Sequence, residues 1–419
     1  MKPFKQQLFR AALTVSITLW IGTACAADVA EGTVITKDNV DKLKSETFEG
    51  KTIGSMLTEK VEWQIKNWNL KIKLGHSKPV ELDPKYLAAT KKYSADVKFD
   101  PATREVTDWK AGIPFPDVSE TDPNAGDKLI WNHYYASPEG ATINNQVSYL
   151  YITADKGVDK VLDINFLRYF QKGRLDKAEP VEGDGKSFSN TLMVFKYPYD
   201  VRGLSTFTIR YDTPQLEDNW VYVKSARRTR RLSGSSWMDP IGGSDQLNDD
   251  IFVWNARPSW YPKIRLVGKR WVLAVTQGKA IKDPGKKGTP DEFPTVDLKA
   301  PPYWNPVDTW QPREVYVIEG TAPAEHPYGR KVVYMDVTYP RIYFGEIYDK
   351  KNEFWKFVIF NTAPTKGETG IKYQSSIQGH TIDFKARHAT IFINHAYRID
   401  EPSVKPEDVS MSRLEAENR

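Results

Sequence analysis

The chain has a single cysteine, Cys25, among 419 residues. With no second thiol there is no intramolecular disulfide, no zinc–thiolate site and no iron–sulfur cluster. Long apolar runs are absent as well. None reaches about 18 residues, which excludes a helical membrane protein. No large excess of charge of one sign is present, since 59 basic residues face 54 acidic ones. A balance this even gives no general case for nucleic acid or an anionic membrane as partner. The 6 histidines form no HExxH pair and no metal-ligand spacing. What the chain does have is aromatic mass: 13 Trp, 21 Tyr and 18 Phe. That supply is enough to build a large core without disulfides.

Residues 1–26 read as a secretory signal. Lys2, Lys5 and Arg10 form the basic region, Ala11 to Ile21 the apolar one, and Ala24-Cys25-Ala26 the small-residue cleavage site. Cleavage after Ala26 would remove three basic residues and lower the net charge from +5 to +2, because 5 − 3 = 2. The expected location is the periplasm. The alternative is acylation at Cys25, giving an outer-membrane lipoprotein. Residues 27–419 are then expected to form one large β-rich domain. Its helical segment covers about 36–135 and its sheet about 145–395.

Lys51 to Trp68 has the best helical period in the chain, with Ile53, Met56, Leu57, Val61, Ile65 and Trp68 at three- and four-residue spacing. A second helix is predicted from Ala125 to Tyr135, and the Pro-rich stretch between the two reads as irregular. From about Asn145 the period becomes two. Strands are predicted at Val147–Thr153, Val161–Leu167, Thr191–Tyr197, Thr206–Tyr211, Trp220–Ser225 and Ile264–Val275. Further strands follow at Glu314–Glu319, Lys331–Thr338, Ile342–Tyr348, Phe354–Asn361, Ser375–Phe384 and Ala389–Ile393. Nothing between them is long enough for repeated helical crossovers, so antiparallel pairing is expected. In Phe354–Phe360 both faces are apolar, with Phe354, Val358 and Phe360 on one and Trp355, Phe357 and Ile359 on the other. Such strands need cover on both sides, from a thick core or from a cavity and its ligand. Residues 282–306 read as a long Pro/Gly-rich loop, and the charged tail from Glu407 as frayed.

Arg227, Arg228, Arg230 and Arg231 crowd five positions and want anions. Asp245, Asp249 and Asp250 are the expected structural partners; a ligand's carboxylate or phosphate is the functional alternative. Asp249 and Asp250, adjacent on an extended segment, would face opposite ways. Trp131, Trp220, Tyr222, Trp254 and Phe357 are candidates to line an apolar site, with Arg228 and Arg231 at its rim. No catalytic constellation stands out, so neither enzyme activity nor a cofactor is expected, and a periplasmic hydrolase ranks third.

These residues carry a family resemblance. Ala111-Gly112-Ile113-Pro114-Phe115-Pro116, Ala125-Gly126-Asp127-Lys128 with Trp131-Asn132, Trp220 to Val223, Ala226 to Arg231 and Gly243 to Asp250 resemble the bacterial domain-of-unknown-function 1329 family. That family is labelled outer-membrane lipoprotein-sorting-like and is distantly similar to periplasmic lipoprotein-localisation factors. The resemblance implies a mainly β fold with a few helices: a large curved antiparallel sheet, an incomplete barrel, closed by N-terminal helices over an apolar cavity. It implies a carrier or chaperone for a hydrophobic small molecule or lipid. The alternative is an adaptor docking an inner-membrane transporter or an outer-membrane protein, without cargo.

Overall fold

The computed structural model describes residues 28–136, 139–224, 227–232, 234–281 and 287–416. The signal reading, residues 282–286 of the predicted loop and the last three residues lie outside them. Fifteen strands make one sheet. In chain order they are β1 (Val34–Ile35), β2 (Ile72–Leu74), β3 (Thr142–Thr153), β4 (Gly157–Phe170), β5 (Ser187–Tyr197), β6 (Ser205–Tyr211), β7 (Asp218–Val223) and β8 (Arg228–Arg231). They continue as β9 (Lys263–Ala274), β10 (Thr309–Thr321), β11 (Arg330–Asp336), β12 (Ile342–Tyr348), β13 (Phe354–Lys366), β14 (Lys372–Asp383) and β15 (His388–Ile399).

Two antiparallel meanders, β3–β8 and β10–β15, join where β15 pairs with β3, from His388 opposite Thr153 to Ile399 opposite Ile143. β9 lies antiparallel along β10, and β2 runs parallel to its first residues, Lys73 opposite Thr309. The sheet is therefore mixed rather than wholly antiparallel. It does not close into a barrel, since the path ends at β8 on one side and at β1 on the other.

Both faces of the central strands are buried, as the doubly apolar patterns require. Phe357 and Ile359 of β13 join Phe344 and Ile391 against Ile53, Val61 and Ile65 of the N-terminal segment. Val358 and Phe360 point the other way, into a cluster with Leu129, Ile130 and Trp254. A bulge corrects the predicted facing at the strand's start. Phe354 pairs Tyr348 while Lys356 pairs Ile347, so one residue is skipped. Phe354 thus packs with Phe357's cluster and Trp355 with the opposite one.

The predicted helix at Lys51–Trp68 is divided. A short turn, Ile53–Met56, precedes α1 (Glu59–Asn67). Thr58 separates them by capping α1, its hydroxyl accepting from the Val61 N–H at 3.1 Å. α2 (Pro84–Tyr93) falls inside the stretch predicted to be irregular. Asp83 caps it, with Pro84 in its first turn. α3 (Ala125–Ala136) is the second predicted helix, one residue longer. α1 covers the Phe357 face and α3 the Val358 face. The N-terminal helices thus divide between the two faces instead of forming a single cover.

Residues 287–306 are mostly irregular, but Phe293, Val296 and Trp304 anchor them in the core beside α1. One further expectation changes. The tail is not frayed over its described part. Val409 and Leu414, the latter on α4 (Met411–Ala416), are fully buried against Tyr169, Leu192, Phe207 and Tyr222. Two buried aliphatic side chains, at roughly 1.5–3 kcal/mol each, outweigh the charges around them in the tail.

Candidate functional site

An apolar cavity opens on the α3 face, between the sheet and the segment Gln246–Phe252. Val147, Tyr149, Phe166, Met193, Phe252 and Phe392 form its walls. The cavity itself has a volume of only ≈ 60 Å³. As it stands the cavity holds a few atoms and no long chain.

The segment above it is held in an unusual way. Phe252 and Val253 both have left-handed backbones, φ 56° and 70°. For a β-branched residue such as Val253 this is a genuine outlier. Gly345 makes room beneath it, since a Cβ there would stand 2.7 Å from a Val253 methyl. The strain is held by a buried knot of charge. Lys331 Nζ lies 2.9 Å from Asp249 Oδ2 and 3.2 Å from Asp250 Oδ1, all fully buried. It also donates to the carbonyls of Asp249 and Val253. Tyr261 and Tyr328 donate to the two carboxylates at 2.5 and 2.6 Å. Burial would raise the Asp249 carboxyl, but Lys331, His326 and Tyr261 outweigh it and hold the group at about 2.

At its far end the cavity turns polar. Glu139 Oε1 accepts from Arg341 at 3.0 Å and from the Ser376 N–H at 2.8 Å. Both charged side chains are buried. Desolvation raises Glu139 to about 7, against the opposing pull of Arg341. Asn394 donates to the Ser376 carbonyl at 2.7 Å, and Asn145 donates to Asn394 Oδ1 at 3.1 Å. Asn145 Oδ1, Gln246 Oε1 and Ser376 Oγ are buried without a hydrogen-bond partner. All three residues line the cavity.

The residues predicted as a binding site are not brought together here. Phe357 stacks on Phe344, ring centroids 5.3 Å apart, on the opposite face of the sheet. Trp131 packs on Tyr135 at 5.3 Å in a separate cluster. Trp254 lies against Tyr261 at 4.2 Å, away from the cavity walls. Trp220 stacks on Phe207 at 5.6 Å, and Tyr222 joins the cluster under α4.

The predicted ion-pair cluster also resolves differently. Arg228, Arg230 and Arg231 form the edge strand β8, exposed, with Arg227 at the turn before it. Arg231 pairs with Asp218, not with the later acids. Asp245 instead exchanges hydrogen bonds with Thr390, both 2.9 Å. Asp249 and Asp250 occupy a 3-10 turn, Asn248–Asp250, so the chain bends and both carboxylates meet one ammonium. A compact buried cation satisfied them better than a fan of exposed guanidinium groups.

Sequence reasoning missed the polar end. Its signal was present in β3, where Ile143, Asn145, Val147 and Tyr149 share a face and the asparagine is the one polar side chain. Ser376 and Asn394 carry no such signal, since Gln374 and Gln378 flank Ser376 in the alternation of β14 and Thr390 shares that of Asn394 on β15, and Glu139 precedes the strands. His380 uses both ring nitrogens on Gln378 and the Trp304 carbonyl. Desolvation lowers it to about 4. Among the described residues no group of three or more His, Cys, Asp or Glu could hold a metal ion, and no helix is long and apolar enough to cross a membrane.

Among solved structures, a DUF1329 family protein from Desulfovibrio piger is similar at 20% identity and TM-score 0.49, over 70% of this chain and 100% of that one. A proposed outer membrane lipoprotein-sorting protein domain from Vibrio parahaemolyticus matches at 16% identity and TM-score 0.45, over 69% and 97%. The LolA superfamily protein NE2245 from Nitrosomonas europaea matches at 12% and 0.41, over 69% and 98%. Each of these leaves about three tenths of this chain uncovered. No curated relative matches at a significant level. A family profile matches residues 34–409, nearly the whole described chain. The chain belongs to the family described as protein of unknown function DUF1329.

Proposed function

We propose that the protein is a periplasmic, non-enzymatic carrier of a hydrophobic molecule, held between the sheet and the segment Gln246–Val253. One observation carries this reading: an apolar cavity, polar at one end only, lies beneath a strained segment. Each CH2 buried there is worth about 0.8 kcal/mol, so cargo supplies the free energy that opens the cover. A site that is tight when empty also suits release, because the walls close behind the departing molecule. The test is native mass spectrometry with solvent extraction on gently purified protein. An amphiphile at near one-to-one is the expected result. A clean apo mass, unchanged after incubation with bacterial lipid extract, overturns the reading. Met193→Trp, which fills the cavity, should lose the cargo and keep the fold.

A second reading, an adaptor without cargo, is favoured by the exposed Arg228 and Arg230. It requires salt-sensitive capture of a membrane-protein partner that Arg228→Glu abolishes.

A further inference from the structure

The polar end of the cavity fixes the chemistry of the head group it can take, and the argument rests on the carrier reading. It begins at a backbone carbonyl. Ser376 O can only accept, so Asn394 must turn its Nδ2 toward it, at 2.7 Å. That leaves Asn394 Oδ1 facing Asn145, which must donate through Nδ2, at 3.1 Å. Asn145 Oδ1 is then committed to the remaining direction. It is an acceptor, buried, unpartnered and at the cavity wall. Flipping either amide would set two acceptors or two donors against each other. The Ser376 N–H is likewise committed, to Glu139 at 2.8 Å, while its hydroxyl is buried and unpartnered. Gln246 Oε1 is a further unpartnered atom on the same wall. Glu139 pairs with Arg341, and Arg168, the other cation that acts on Glu139, donates to the Thr191 hydroxyl at 2.9 Å.

A buried acceptor without a donor is a standing cost that a ligand can relieve. An anionic head group does not relieve it, because a carboxylate or phosphate ester would set a second acceptor against Asn145 and Glu139. We propose that the cavity takes an uncharged amphiphile whose head carries a hydrogen-bond donor, a hydroxyl or amide N–H, placed between Asn145 Oδ1 and the Ser376 hydroxyl. The Arg-rich edge strand plays no part in reading it. The elevated proton affinity of Glu139 fits the same environment, in which additional negative charge is disfavoured.

The test compares dodecanol, dodecane and laurate as displacers of Nile red from the full mature chain at about pH 8, where laurate is ionised. Dodecanol should bind about tenfold tighter than dodecane, the yield of one or two neutral hydrogen bonds. Laurate should bind no tighter than dodecane. Asn145→Leu should abolish the preference for the alcohol while dodecane still binds. Ser376→Ala, a smaller change, should reduce the preference partially and guards against misfolding of the first variant. Equal binding of all three overturns the head-group assignment and leaves the carrier reading intact. Tightest binding of laurate overturns it in favour of an anionic cargo. Failure of all three to bind overturns both readings.

Discussion

Two buried polar groupings lie on the α3 face of the sheet, and they differ in how far their members are satisfied. Around Lys331, one cation faces two carboxylates, and each carboxylate also accepts from a tyrosine. At the cavity's end, by contrast, an ion pair of Glu139 with Arg341 sits beside three unpartnered oxygen atoms. In the first, each charge faces an opposite one, and the grouping holds the covering segment down. The second is incomplete and borders empty space. A low-dielectric interior makes a satisfied network stiff and an unsatisfied one costly. Placing the incomplete one at a cavity lets a ligand finish it.

Removing the cation should produce the largest effect. Lys331→Met leaves two buried carboxylates facing each other and should destabilise the fold by ~3–5 kcal/mol in urea unfolding. A loss below about 1 kcal/mol would mean that the knot is not what holds the segment.

The pH dependence sharpens the contrast, because the two groupings contribute slopes of opposite sign. Glu139 is raised from 4.5 to about 7, so its stability contribution is full below about 4.5 and is lost as pH rises through about 7. Asp249 is lowered from 3.8 to about 2, so its contribution is present above 3.8 and is lost as pH falls toward about 2. Glu139→Gln should flatten the first decline and leave the second in place. Parallel stability–pH curves for wild type and variant would remove Glu139 from the account.

The smallest effect is expected at the edge. Arg230→Val on β8 should change unfolding free energy by no more than ~0.5 kcal/mol, since the side chain is exposed. It should nonetheless increase light scattering on storage, because charge on an edge strand blocks pairing with a second chain. The opposite edge carries the same device in Lys263, Arg265 and Lys269 of β9, all exposed. The arginine crowding read as a search for anions is explained as well by this position.

Period-two patterning located the long strands, because β-branched and aromatic residues alternate there with little interruption. Arg228–Arg231 escaped as a strand since nothing in four polar residues marks burial. α2 was legible in Asp83-Pro84, a cap followed by a first-turn proline, but its weak apolar stripe hid it. The division of the Lys51–Trp68 helix was less visible. Gly54 sits where a Cβ would stand 2.9 Å from the Lys44 carbonyl, a contact made only in three dimensions. The site was least legible. Which tryptophans line a cavity depends on register, and the skipped residue in β13 shows how one bulge exchanges the faces. The Lys331 knot joins residues 78 and 82 positions apart, beyond any local pattern.

The seam between the meanders sets the order of assembly. β3 must wait for β15, with Thr153 opposite His388, and β2 must wait for β10. Ser77 closes the second join through a bond to the Pro312 carbonyl 235 residues away. During synthesis β2 can pair with β1 and β3 with β4, but the other edge of each stays open until its distant partner has been made. Contacts this distant slow folding and leave strand edges open in the meantime. The sheet's final architecture thus exposes its own nascent chain to wrong pairing, and refolding from denaturant should be slow and dependent on protein concentration.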